Sequence, residues 1–268
     1  MNKIQVAVIN EACDTPAGMM MFLANLTQKG HTIKSMSDLE DLYIKSIENH
    51  KSARAVARMP HGTIKRFSPV TIAIVGASRR FLAQARTHQV GLDFVSASLQ
   101  YSDYSDDAGF VTPYALMGNN MLNERGLYLD TCRQTMDAYK HLIKGTSPYL
   151  VGTGTPIDND AAGYAAPQGL RNILVIQGNH QAWGQFIRTR GCKRNTNETA
   201  YIAWLIWEAL MGTTDGFDLN CWSGPDCVYG TCREGKMSCS EPITLNLSTK
   251  GIQGVSDYID SNWPLIRL

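Results

Sequence analysis

The chain has 268 residues, 44% of them hydrophobic and 18% charged, which supplies one large core or two small ones and excludes a disordered chain. A formal net charge of +1 leaves no diffuse field to gather a polyanion, so nucleic acid and anionic membrane surfaces give way to a small ligand as the default partner. The longest apolar run, Ala200 to Trp207, is far short of the ~20 residues a bilayer requires, and the first residues lack the pattern of a signal peptide, so no membrane and a cytoplasmic location are expected.

The first nine residues, ending Gln5-Val6-Ala7-Val8-Ile9, read as a strand. Residues 16–28 and 37–57 carry apolar side chains at intervals of three and four among charges, the pattern of surface helices covering a sheet. The β-branched run from Val70 to Val75, stopped by Gly76, reads as a buried strand, and Ser78 as the N-cap of a helix reaching about His88. Between residues 144 and 169 the composition turns to Gly, Pro, Thr, Asp and Ala, which fits either a functional loop or a plain connection. Its Gly152-Thr153-Gly154-Thr155-Pro156 is not a dinucleotide fingerprint, because the third glycine is absent.

Two helices follow. Asn179, Trp183, Phe186 and Arg190 fall on one face of the first, either as a core face with polar ends or as a surface that packs on planar rings. The second, around Ala200-Tyr201-Ile202-Ala203-Trp204-Leu205-Ile206-Trp207, is apolar on every side and belongs in the middle of a domain or in a subunit interface.

The seven cysteines are an odd number. Cys13, Cys132 and Cys192 are scattered, whereas Cys221, Cys227, Cys232 and Cys239 cluster without paired C-x-x-C spacing or a following histidine, which favours a thiol-rich loop and no metal over a zinc site. The standard hydrolase, P-loop and zincin motifs are absent. What stands out is Ser78-Arg79-Arg80-Phe81-Leu82-Ala83-Gln84-Ala85-Arg86-Thr87-His88-Gln89, followed by Ser98-Leu99-Gln100-Tyr101-Ser102. A helix that ends in Arg, His and amide groups beside a Ser-rich extended segment lines an anion or heterocycle site. Taken alone, His88 reads more readily as a hydrogen-bonded structural residue.

This stretch resembles the signature of flavin-dependent thymidylate synthases, in which a Gln precedes Arg-His-Arg by three residues and a Ser-x-Arg-Tyr segment follows. Gln84 stands at the Gln position, Thr87-His88-Gln89 at Arg-His-Arg, and Ser98-Leu99-Gln100-Tyr101 at the second part, with one extra residue between them. Upstream, His61-Gly62-Thr63-Ile64-Lys65-Arg66 is similar to the family's His-x-Ser/Thr-x-x-Glu, and Gly76-Ala77-Ser78-Arg79 to its Gly-x-Ser-Arg. Downstream, the spacing from Asn179 to Arg190 resembles that of the family, and the run Arg190-Gly191-Cys192-Lys193-Arg194 with Glu198 and the segments around Cys227, Cys232 and Cys239 resemble one subgroup of it.

The resemblance implies an α+β fold with helices packed on a mixed or antiparallel sheet. It also implies one domain over residues 1–268, with a cysteine-bearing tail from about residue 217, assembled as a homotetramer that holds FAD where subunits meet. It implies one-carbon transfer from methylenetetrahydrofolate to C5 of a pyrimidine nucleotide, dUMP in the family, with NADPH as reductant. Position by position it assigns Arg190 and Ser98 to catalysis, and Thr63, Thr87, His88, Gln89, Asn179 and Gln181 to the cofactor. Gln84, Ser98, Gln100 and Arg190 are assigned to the substrate.

The departures concentrate where ligands are gripped. Gln89 and Gln100 replace arginines of the signature, and Gly163 stands where another Arg is expected. Loss of the two phosphate-contacting arginines, at Gln100 and Gly163, weakens nucleotide binding roughly a hundredfold to ten-thousandfold unless something compensates. At the cofactor, Thr87 and Gln181 replace arginines and Arg66 replaces the Glu. Arg79, Arg80, Arg86, Arg171, Lys193 and Arg194 are the nearby cations that could compensate at the phosphate, although each reads first as solvated surface. The resulting expectation is a flavoenzyme of C5 pyrimidine chemistry, with hydroxymethyl transfer or another pyrimidine as variants and an inactive tetrameric binding scaffold as the alternative.

Overall fold

The computed structural model describes residues 4–11, 15–59, 61–106, 109–145, 159–213, 224–230, 232–245 and 247–267. The strands β1 (Gln5–Glu11), β2 (Pro69–Ser78), β3 (Leu92–Ser96) and β4 (Arg171–Asn179) form one antiparallel sheet in the order β1-β2-β4-β3. Branched residues dominate β2 and β4, and their alternation decides which side is covered: Val70, Ile72, Ile74, Leu174 and Ile176 are buried. On the other face, Val75 pairs with Ile173 and Val95 with Val175, and Val75, Val95 and Ile173 remain exposed.

The helices are α1 (Pro16–Lys29), α2 (Met36–Glu48), α3 (His50–Arg58), α4 (Arg79–Ala85), α5 (Leu122–Leu142), α6 (Asn159–Gly163), α7 (His180–Arg190), α8 (Asn197–Thr213), α9 (Leu247–Lys250), α10 (Ile252–Asn262) and α11 (Pro264–Arg267). The uniformly apolar helix is α8: Tyr201, Ile202, Ala203, Trp204, Ile206, Trp207 and Leu210 are all buried in the main core, beneath the sheet and between α4, α7 and α10. Val255, Ile259 and Trp263 close this core from the C-terminal side, and Tyr258 stacks on Trp204 at a ring separation of 4.1 Å.

Three expectations need correction. Residues 37–57 are two helices, because Asn49 leaves helical geometry and its side chain accepts the Ser52 N–H, starting α3 anew. The helices α1, α2 and α3 do not join the core under the sheet; α1 and α3 enclose a separate cluster of Ala17, Met20, Ala53, Ala57 and Ile64, and α2 packs on α1. The helix capped by Ser78 stops at Ala85, where the Thr87 hydroxyl takes the Gln84 carbonyl and His88 N–H closes a tighter turn on Ala85. Helix α5 is an element that the pattern did not announce, since its apolar residues are split between exposed Leu122 and Leu127 and buried Cys132, Met136 and Tyr139. Residues 146–158 of the irregular stretch at 144–169, including Gly152 to Pro156, lie outside the described residues, as do Cys13 and Cys221.

Sheet register places the rest. The start of β2 pairs with the end of β4, Pro69 opposite Asn179, so the turn preceding β2 meets the first turn of α7. The start of β3 also lies by the end of β4, Leu92 opposite Gly178, so the loop from Arg86 to Gly91 runs along α7.

Candidate active site

Helix α7 carries a polar group at each end and a buried middle. Trp183 and Phe186 are fully buried, Trp183 Nε1 donates to the Val70 carbonyl at 3.1 Å, and Phe186 packs edge-on against His88 at 5.0 Å. The stripe is therefore a core face with polar ends, and its rings are not available to stack on a ligand.

At the C-terminal end, Arg190 is held on three sides. Its Nε donates to His88 Nε2 at 2.7 Å, Nη1 to Asn195 Oδ1 at 3.2 Å, and Nη2 to both Thr87 Oγ1 at 2.7 Å and the Gln84 carbonyl at 3.2 Å. An arginine can only donate, so His88 Nε2 carries its lone pair, and a neutral His88 places its proton on Nδ1. Burial first, and the neighbouring Arg190 charge second, pull the His88 pKa below the usual histidine value. The Gln84 carboxamide oxygen is itself gripped by the hydroxyls of Thr196, at 3.1 Å, and Thr199. Four residues from two segments, 84–88 and 195, thus fix one guanidinium, the arrangement that stabilises charge developing on a planar carbonyl without reorganisation.

Thr87 and His88, expected at the cofactor, both bond to Arg190, with Gln89 exposed beside them. The reason is local: both lie on the loop that β3 pairing lays against α7. Asn195, Thr196 and Thr199 were not anticipated, since nothing in their spacing distinguishes them from the ordinary start of α8.

At the N-terminal end, Asn179 caps α7 by accepting the Ala182 N–H at 2.9 Å, and Gly91, at φ +77°, approaches its amide. Gln181 Oε1 accepts from Arg66 Nε at 2.8 Å, and Gly62 packs so close that a Cβ there would lie 2.8 Å from Gln181 Nε2. Thr63 is exposed on the same turn, its carbonyl accepting from Arg66 N–H. A hydroxyl, a guanidinium and two amides thus come together where this turn meets the start of α7, a donor set of the kind that fits the phosphates of a dinucleotide such as FAD.

Ser98 and Gln100 form a third group. The Ser98 hydroxyl accepts the Gln100 N–H at 3.0 Å, and the intervening Leu99 packs against α6, where a Cβ on Gly163 would lie 3.1 Å from Leu99 Cβ. None of the hydrogen bonds described joins Ser98 or Gln100 to Arg190. Nearby, Arg86 Nη2 donates to Ser96 Oγ at 3.0 Å, and Arg79 lies near Tyr104 and Arg86 with its pKa lowered chiefly by burial.

The cysteines Cys192, Cys227 and Cys232 line a separate cavity of about 220 Å³, in which Asp226 is flanked by Arg188 at 3.5 Å and Arg233 at 3.4 Å. Among the described residues no three His, Cys, Asp or Glu side chains are grouped to hold a metal ion, and no helix is long and apolar enough to cross a membrane.

Comparisons with known proteins converge. A family model described as thymidylate synthase complementing protein matches residues 9–214. The flavin-dependent thymidylate synthase of Clostridium tetani is 23% identical over 181 residues, 65% of this chain and 70% of that one. In fold, the chain is similar to the flavin-dependent thymidylate synthase ThyX of Helicobacter pylori solved with FAD and dUMP, with 16% identity, 78% of this chain, 94% of that chain and a TM-score of 0.53. It is likewise similar to the UMP/dUMP methylase PolB of Streptomyces cacaoi bound with 5-Br dUMP, with 12% identity, 81% of this chain, 93% of that chain and a TM-score of 0.55. The sheet, the helix order and a family match over most of the chain agree: this protein belongs to the flavin-dependent thymidylate synthases, a family of methyltransferases that use FAD.

Proposed function

We propose that the protein transfers a one-carbon unit from methylenetetrahydrofolate to C5 of a pyrimidine nucleotide, dUMP or a close variant, with NADPH as reductant. The observation that carries this reading is the four-partner anchoring of Arg190 by His88, Thr87, Gln84 and Asn195. Bound FAD supplies the redox chemistry. The chain's own work is to hold a fixed cation against a pyrimidine carbonyl, so that negative charge spreading onto that oxygen as C5 becomes nucleophilic is stabilised. Thr63, Asn179, Gln181 and Arg66 hold the cofactor, while Gln84, Ser98 and Gln100 face the nucleotide.

A homotetramer with FAD where subunits meet follows from the same reading. Its physical support is the exposed face carrying Val75, Val95 and Ile173, an apolar patch on a paired sheet that a neighbouring subunit would cover.

A pyrimidine substrate with a weaker phosphate requirement is the second reading, favoured by the close packing of Gly163 on Leu99 where a phosphate-gripping side chain would otherwise stand. Both are tested by following loss of the C5 hydrogen from dUMP, dCMP and their nucleosides in the presence of FAD, NADPH and methylenetetrahydrofolate. Release from one of them supports the enzyme and names its substrate. Release from none, in protein that retains FAD, leaves the inactive scaffold as the correct description.

A further inference from the structure

Positions 66 and 181 each depart from the family pattern, and the structure joins them. By the motif resemblance, Arg66 stands where the family has a carboxylate and Gln181 where it has a guanidinium; in the structure Arg66 Nε donates to Gln181 Oε1 at 2.8 Å across 115 residues of sequence. Each change alone is disruptive. An Arg at 66 facing an Arg at 181 would set two cations together, and a Glu at 66 facing Gln181 would leave the pair with a net negative charge. Made together, they keep one guanidinium in the pair but mount it on the other partner.

We propose that Arg66 is the cofactor-binding cation of this chain, contacting the FAD pyrophosphate, and that Gln181 is its positioning residue. This rests on the FAD-dependent reading above. The Nε bond to Gln181 fixes the plane of the guanidinium and leaves the paired Nη atoms, which are the fork that matches a phosphate, for the ligand. None of the ion pairs among the described residues involves Arg66, and the side chain is exposed. Thr63, three residues earlier on the same tight turn and likewise exposed, falls on the same side by the i, i+3 spacing of such a turn. Gly62 is part of the device: a side chain there would push Gln181 away from Arg66.

The test is a charge exchange read by flavin binding. FAD and riboflavin, which lacks phosphates, are titrated by fluorescence against the full-length wild type, Arg66→Glu, and the double variant Arg66→Glu/Gln181→Arg. The wild type is expected to bind FAD more tightly than riboflavin. Arg66→Glu weakens FAD binding about tenfold to a hundredfold without changing riboflavin binding, the effect of losing a charge-assisted bond to phosphate. The double variant, with the guanidinium back on position 181, recovers FAD affinity to within about threefold of wild type, as compensating charge pairs do.

FAD affinity unchanged in Arg66→Glu overturns the assignment, and equal losses for FAD and riboflavin overturn the phosphate contact. A wild type that binds no FAD overturns the reading beneath it, an outcome distinct from the other two. Arg66→Gln, which adds no negative charge, carries the same test if the glutamate variant does not fold.

Discussion

Arg190 and His88 meet through a single hydrogen bond in which the arginine Nε donates to the imidazole Nε2 at 2.7 Å. That bond exists only while the histidine is neutral. Protonation turns the acceptor into a donor and sets two cations face to face, which is why burial and Arg190 both hold the His88 pKa below its ordinary value. A histidine with a lowered folded pKa contributes stability that is fully present above the unfolded value and is lost as pH falls through the folded one. Nucleotide affinity is therefore expected to be flat above about pH 6.5, the ordinary histidine pKa, and to fall on acidification. Titration of dUMP binding against pH checks this, and His88→Gln should remove the acid limb.

Ser78 ties two helices together. Its N–H and hydroxyl donate to the Glu198 carboxylate at 2.7 and 2.5 Å, while its oxygen accepts the Phe81 N–H at the start of α4. Burial raises the Glu198 pKa, and these Ser78 bonds act against that rise. Ser78→Ala removes a helix cap and a hydrogen bond to a desolvated carboxylate, so a loss of about 2–4 kcal/mol is expected from the two effects together. Chemical denaturation of the variant measures it, and Ser78→Thr should retain most of the stability.

His180 is a separate acid-sensitive group. It is 2% exposed, its Nδ1 lies 2.7 Å from the Ser68 carbonyl, and burial brings its pKa down to about 4. Between pH 6.5 and about 4 the unfolded chain binds the proton more tightly than the folded one, so stability falls with falling pH across that window and is unaffected by His180 above it. The full loss for a shift of this size is about 3 kcal/mol. Urea midpoints across that range should slope less steeply in His180→Gln than in wild type.

The phosphate positions respond unequally. Gln100 is exposed, so Gln100→Arg adds a guanidinium without displacing anything and should tighten dUMP binding about tenfold. Gly163→Arg places its first carbon 3.1 Å from Leu99 Cβ, so the single variant should give no gain, and Gly163→Arg with Leu99→Ala should give one. Equilibrium dialysis against dUMP distinguishes the two.

How far the sequence could be read depended on the range of the interaction. Strand β2 and helix α8 were legible because their apolar runs carry their own period or lack of one. The break at Asn49 was hidden because one capping amide interrupts a continuous amphipathic pattern, and α5 because its apolar residues are not confined to one face. At the site, residue types were legible and partners were not. Arg66 and Gln181 looked like two independent losses until the pairing of Pro69 with Asn179 brought them together. The side chains of Thr87 and His88 turn to Arg190 because β3 starts beside the end of β4, a fact of register that no local motif encodes.

The most direct test of the central claim is the visible spectrum of the purified protein after loading with FAD and removal of excess, recorded as dUMP, dCMP and their nucleosides are added in turn. Retained flavin whose bands shift with one pyrimidine nucleotide, and do not shift with it in Arg190→Ala, is the predicted result. Flavin that is not retained, or bands that ignore every pyrimidine, would contradict a cofactor and a nucleotide held side by side.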